Sequence, residues 1–399
     1  MSSIIFRNAN VLDVKTKHIL SGQDVTIEDG IITDISSHIP GKGIDCTGKY
    51  LCPGVMDMHV HMVWDGTKAD PVTANIQDGP FIAMMRALHA SQICLTKGIT
   101  VVRDVGCNED VTIYLADAMQ KGLAWGCQII PCGSAITGTY GHVPSIGHVA
   151  DTNDELIKAI RSIKNKQNHA NVKCQWFKIM ATGGAAGPED VGPSMYSMDN
   201  LHTIVAEAKR LHMKVAAHAL SPEGIVACID AGINTIEHGA DIPVEKMDVM
   251  IEKGTTLVPT LWVYKVLAES KGIVDAYMNK KAIEVVKKQK VTFANAMKKD
   301  VRIALGTDAG SPNFGPHPSV FGEMYVMNEY GMPMDDVVKA ATITPAEVLG
   351  IEKTKGSIEI GKDGDILLLS GNPFKNLHVF EDGLEAVYQK GRLVPPLFV

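Results

Sequence analysis

His59 and His61 stand one residue apart near the end of the apolar run Gly54-Val55-Met56-Asp57-Met58-His59-Val60-His61-Met62. A strand sends alternate side chains to one face, so both imidazoles aim at one spot. That is how a strand end holds a metal ion, since neutral imidazole is the commonest protein metal ligand and places its nitrogen ~2.0–2.1 Å from zinc. The pair alone also fits two strand-end histidines bonded to water or backbone, so the rest of the chain has to decide. Four further groups close apolar runs in the same way: Lys178 in Trp176-Phe177-Lys178-Ile179-Met180, His218 in Ala216-Ala217-His218-Ala219, His238 in Ile236-Glu237-His238-Gly239, and Asp308 in Gly306-Thr307-Asp308-Ala309-Gly310. Taken singly, His218 and His238 also read as packed, hydrogen-bonded histidines, and Asp308 as a helix cap. Lys178 is different, because a lysine among apolar strand residues is costly to bury and its ammonium repels a metal. Carbamylation by CO2 resolves this by turning the cation into a carboxylate-like group whose two oxygens can bridge two divalent ions.

The elements that must position these groups alternate from about residue 50 to 345 between strand-like apolar runs and helical patterns, the signature of repeated βα units. Eight candidate strands occupy 54–60, 99–105, 128–134, 176–181, 214–219, 234–238, 256–261 and 302–307. At roughly 36 residues per unit they suit a (β/α)8 TIM barrel, whose active site lies at the C-terminal strand ends, where all six groups fall. A doubly wound open sheet is the alternative, but no G-x-G-x-x-G follows the first strand. Both chain ends are β-rich instead. Asp29-Gly30 between two β runs signals a hairpin, and β texture returns at 356–360, 365–369 and 386–394. The simplest assembly is a discontinuous β-sandwich domain from 1–53 and 355–399 around a barrel at 54–354.

With 399 residues, 45% hydrophobic and 21% charged, the chain reads as an ordinary soluble globular protein. A net charge of −7 with no Lys/Arg block argues against nucleic-acid or anionic-membrane partners; Lys287-Lys288-Gln289-Lys290 reads as a solvated helix face. No apolar run reaches the ~18 residues of a membrane span, and no signal peptide is visible at the N-terminus. Eight cysteines without C-x-x-C spacing read as reduced, buried thiols. The expected compartment is the cytoplasm, and a homo-oligomer is compatible with everything in the sequence.

The order H-x-H, strand-four lysine, single histidines on strands five and six, and strand-eight aspartate resembles the amidohydrolase superfamily, specifically its binuclear members with a carboxylated lysine. The resemblance covers nearly the whole chain, including the Gly361-x-x-Gly364-Asp365-Ile366 segment. Within the superfamily, the run from Phe177 to Gly184 and the loop Thr137-Gly138-Thr139-Tyr140-Gly141-His142 look like the imidazolonepropionase-related branch of metal-dependent Xaa-Pro, Xaa-Arg or Xaa-Lys dipeptidases. Imidazolonepropionase itself fits less well, since it resembles a single-metal pattern without the lysine. The resemblance implies two divalent ions, zinc first given the nitrogen-rich ligands. His59, His61, Lys178 and Asp308 would hold one ion, and Lys178, His218 and His238 the other, with a hydroxide between them. It further implies that Asp308 is the general base, that His142 meets the substrate carbonyl (with His148 the alternative), and that Tyr264 contacts substrate or simply packs. The expected activity is hydrolysis of a C–N amide bond in a dipeptide or N-acyl amino acid. A cyclic amidase, a lactonase or phosphotriesterase, a deaminase and a catalytically dead scaffold are the alternatives.

Overall fold

The computed structural model describes residues 3–185 and 187–397. Strands His18–Glu28 and Ile31–Ser36 pair antiparallel across Asp29 and Gly30, whose φ values of 47 and 91 give the hairpin turn that matches strand twist. In that sheet the order runs Arg392–Leu393, Leu384–Gln389, Ile366–Leu369, Tyr50–Pro53, Ser3–Asp13, His18–Glu28, Ile31–Ser36, with Ile44–Asp45 also beside Ser3–Asp13. The two chain ends meet where Leu367 faces Cys52. Phe6, Val11, Val25, Ile27, Leu51, Ile366 and Tyr388 fill the core between them, with the Phe6 and Tyr388 rings edge to face at 4.8 Å. The strand expected at 356–360 is absent. Lys355 pairs with Asp363 at 2.9 Å and with Asp365, folding this stretch into a loop. That loop still buries Ile358 in the same core.

The barrel strands are Val55–Val60, Ile99–Asp104, Gln128–Pro131 with Ala135–Thr137, Trp176–Met180, Lys214–Ala219, Thr235–His238 and Thr256–Val258, joined in parallel. The third differs from the continuous run expected at 128–134. The Ser134 amide donates to the Asp110 carboxylate (2.7 Å) rather than to a ladder, so the strand breaks, its first piece pairing with the second strand and its second with the fourth. The seventh stops at Val258 rather than 261, because Pro259 has no N–H to give and the Glu323 carboxylate accepts the amides of Leu261 (2.9 Å) and Trp262 (2.7 Å), starting helix Leu261–Glu269. The eighth, expected at 302–307, is extended but joins its neighbours only through bridges such as Leu257–Ile303 and Val60–Ala309. The end of helix Met334–Ala340 wedges in here, with Ala340 O accepting from Leu305 N and Ala341 O from Met56 N, each at 2.8 Å. Met58 N donates to Leu305 O at 2.9 Å and closes the ring. The fold is therefore a (β/α)8 barrel with a β-sandwich domain built from both chain ends. Among the described residues no helix is long and apolar enough to cross a membrane.

The outer helices follow their apolar stripes. Helix Asn153–His169 starts at a Thr152/Glu155 capping box and buries Leu156, Ile160 and Ile163. It is tied to helix Met198–Arg210 through buried Glu207, which accepts from Arg161 Nε (2.7 Å) and Arg210 Nε (2.8 Å). Arg210 first, then Arg161 against the opposing effect of burial, holds the Glu207 carboxyl at about 2, below its ordinary 4.5. A depressed carboxyl stabilises the fold above its unfolded pKa and loses that contribution as pH falls through the folded one. Both arginines are more than half exposed, so the expected contribution is about 1 kcal/mol. Wild type should melt above Glu207→Gln by a constant margin from pH 8 to 5, and the margin should close between about pH 4.5 and 2. A margin unchanged at pH 3 contradicts the assignment.

Candidate active site

At the C-terminal mouth of the barrel a cavity of about 330 Å³ is lined by His59, His61, Lys178, His218, His238 and Asp308, and also by His142 and Tyr264. The structure thus brings together all eight residues singled out in the sequence. His148 is not among them; it lies on the short edge strand Gly147–Val149.

Each ring is fixed through its outward nitrogen. His59 Nδ1 donates to Glu237 Oε2 (2.8 Å), His61 Nδ1 to Gly106 O (2.9 Å) and His218 Nε2 to Gly183 O (3.1 Å), while His238 Nδ1 meets Thr260 Oγ1 (2.7 Å). Carbonyl and carboxylate oxygens only accept, so in the first three rings the proton sits on the outward nitrogen and the other nitrogen keeps its lone pair. Burial drives His59, His218 and His238 well below the usual 6.5, toward the neutral form.

The inward atoms then confront one another. Asp308 Oδ1 is 3.5 Å from His59 Nε2 and 3.4 Å from His61 Nε2, and the ligand atoms of His59, His238 and Asp308 all lie within 4.8 Å of one another. The Asp308 carboxyl is nonetheless held below its ordinary range, against the effect of burial. Lone pairs and a carboxylate directed at one point are a donor set for a cation, so the residues fit a metal centre. Lys178 is 1% exposed and forms no ion pair among the described residues; burial pulls it down from 10.5 to about 8.

Several partners were not singled out in the sequence. Arg103, fully buried, donates from Nη2 to Glu237 Oε1 (2.7 Å) and from Nε to Met58 O (2.7 Å), with its guanidinium over the Trp176 ring at 4.6 Å. Arg103, Glu237 and His59 form a relay that orients the ring from behind. Glu189 accepts from His142 Nδ1 and from Gly184 N (3.0 Å), and the His142 ring stacks on His218 with centroids 4.4 Å apart. Burial pushes Glu189 up, but the His142 bond and charge bring its carboxyl below the ordinary value. Tyr264 stands edge-on to His238 at 5.4 Å. The sequence signal for Glu237 was its place beside His238; Arg103 was an unexplained charge inside an apolar strand.

Glu237→Gln should weaken metal retention about 10- to 100-fold, read by dialysis against a chelator. It should also lower unfolding stability by about 3–5 kcal/mol, since it leaves Arg103 buried without its carboxylate. A variant with wild-type retention and melting would remove Glu237 from the relay.

The sequence profile of the amidohydrolase family matches residues 50–394. The chain is 26% identical to an ochratoxinase of Aspergillus niger, over 92% of this chain and 82% of that one. Among solved structures, a Xaa-Pro dipeptidase with methionine bound in its active site is 31% identical with a TM-score of 0.88, covering 98% of this chain and 99% of the other. A prolidase complexed with N-methylphosphonate-L-proline is 26% identical with a TM-score of 0.88 and the same coverage.

Proposed function

The chain belongs to the amidohydrolase family, and from that premise we propose that it cleaves the amide bond of a dipeptide or N-acyl amino acid at this strand-end cluster. The observation that carries the reading is the convergence of the His59 and His61 Nε2 lone pairs on Asp308. We take 54–354 as the catalytic barrel and 1–53 with 355–399 as the β domain. His59, His61 and Asp308, with a carboxylated Lys178, would hold one divalent ion; Lys178, His218 and His238 would hold a second. Zinc suits so nitrogen-rich a set. Such ions supply an acidified water and a polarised carbonyl. Lys178 is prepared for carboxylation, because burial favours the neutral amine that reacts with CO2. Asp308 takes a proton from the attacking water and delivers it to the leaving amine. His142 donates to the carbonyl oxygen as charge develops there. Its Nδ1–H is already given to Glu189, so this Nε2 donation needs the ring's second proton, which the Glu189 carboxylate balances. The eight cysteines are all free, which supports a reducing compartment, the cytoplasm.

The cavity suits a small substrate, and beyond Asp308 at the proposed metal centre and Glu189 paired with His142 its lining carries Asp70 and Asp275 but, among the described residues, no arginine and no lysine besides Lys178. A cationic flanking group is therefore favoured over an anionic one. The test is kcat/KM across Xaa-Lys, Xaa-Arg, Xaa-Pro, Xaa-Met, Xaa-Glu and N-acetyl amino acids, beside lactones, cyclic amides and a phosphotriester. Xaa-Lys and Xaa-Arg should exceed Xaa-Glu by about tenfold or more. Turnover of a lactone, cyclic amide or phosphotriester a hundredfold better than every linear amide would overturn the peptidase reading.

A further inference from the structure

Lys281 lies on helix Ala276–Lys298, in the barrel's outer ring of helices, yet among the described residues its ammonium does not pair with a carboxylate. Among the described residues it has no acid partner within 4 Å. Its three donors go to three main-chain carbonyls of one segment: Gly184 O (3.0 Å), Gly187 O (2.7 Å) and Glu189 O (2.5 Å). That saturates the group and leaves none of its protons for substrate.

The segment it gathers is shaped around the His142–Glu189 pair. A Cβ on Gly184 would stand 2.1 Å from His142 Cε1, and one on Gly187 would stand 1.8 Å from Glu189 Oε2. Only glycine allows so close an approach, and glycine-rich backbone is costly to order. The other tie from the segment to His142 is Glu189 itself, which binds both Gly184 N and the imidazole. A glycine-rich segment carries the carboxylate that aims His142, and one cation draws its carbonyls together.

We propose that Lys281 is a positioning residue for the reaction, a main-chain tether that fixes Glu189 and through it the direction of the His142 ring. This rests on the reading of His142 as the group that meets the substrate carbonyl. Lys281 touches none of the groups proposed to hold metal, and the nearby anchor from His218 Nε2 to Gly183 O is not among its three bonds, so its effect belongs to turnover and not to metal content.

The test uses the full-length, metal-loaded protein. Lys281→Met keeps the apolar stem and removes the donors. It should retain wild-type metal content and melting temperature, leave KM within about threefold, and lower kcat by about 10- to 100-fold on the best amide. Amide hydrogen exchange should quicken at 183–185 and 187–190. Lys281→Ala should regain a tenth or more of wild-type kcat with propylammonium, which restores N–H donors, and nothing with tetramethylammonium, which has none. The tether is overturned if Lys281→Met keeps kcat within twofold, if its loss of activity tracks loss of metal or of fold, or if exchange at 183–185 and 187–190 is unchanged. If the wild-type chain cleaves none of the amides, the peptidase reading fails by itself, and the exchange difference still decides the tether.

Discussion

Replacing Lys178 with alanine should remove both of the proposed ions and lower turnover by on the order of 10³-fold or more, about 4 kcal/mol of transition-state stabilisation. The residue is buried at the centre of the cluster, and no acid is paired with it among the described residues. An ammonium there opposes a cation site; the proposed carboxylated amine would complete it. Alanine removes the group without touching the imidazole anchors at Glu237, Gly106, Gly183 and Thr260. The vacated space should accept a small carboxylate, so formate or acetate at tens of millimolar should return part of the metal and part of the activity. Elemental analysis of the purified variant and a rescue titration measure the two effects. Full metal content with an unmodified amine at Lys178 in the wild type would rule out the bridging role, whatever the variant did.

The groups that close the barrel strands were legible because each interrupts an apolar run with a residue type that chemistry needs. His59 and His61 were marked by the two-residue period of a strand and Lys178 by its cost of burial, and the pair was decided by the groups that close the other strands. What the sequence hid was mostly backbone. His238, Thr260 and Asp308 sit at successive strand ends with φ of 69, 48 and 63, a conformation side chains rarely take and one that gathers at functional sites. Strict alternation would send Glu237 and His238 to opposite faces. The turn at His238 lets both reach the interior, Glu237 to His59 and His238 to the cavity. Glu189 was out of reach for another reason. It lies 47 residues from His142, in a glycine-rich stretch with no periodicity to place it. The eighth strand was located by its apolar pattern, but its broken ladder depends on a helix end arriving from residues 340–341, a tertiary event that leaves no local mark.

Asp308→Asn should keep fold and metal while lowering kcat by about 10²- to 10⁴-fold, the range of a lost general acid–base group. Asparagine is among the few residues that tolerate the left-handed backbone of this position. It leaves intact the bonds from Asp308 N to His59 O (2.7 Å) and from Ser311 N to Asp308 O (3.2 Å), so the strand end need not move. It also keeps an oxygen where Oδ1 now lies 3.4–3.5 Å from the two imidazoles. What it loses is the basic carboxylate, which is held ionised against burial. A group that acts only by moving a proton contributes little to ground-state binding, so kcat and kcat/KM should fall together with KM nearly constant. Steady-state kinetics on the best amide, with metal content measured on the same preparation, separates the possibilities. If KM rises while kcat stays within threefold of wild type, Asp308 binds substrate and the proton must travel through another group, of which Glu189 with His142 is the nearest built pair.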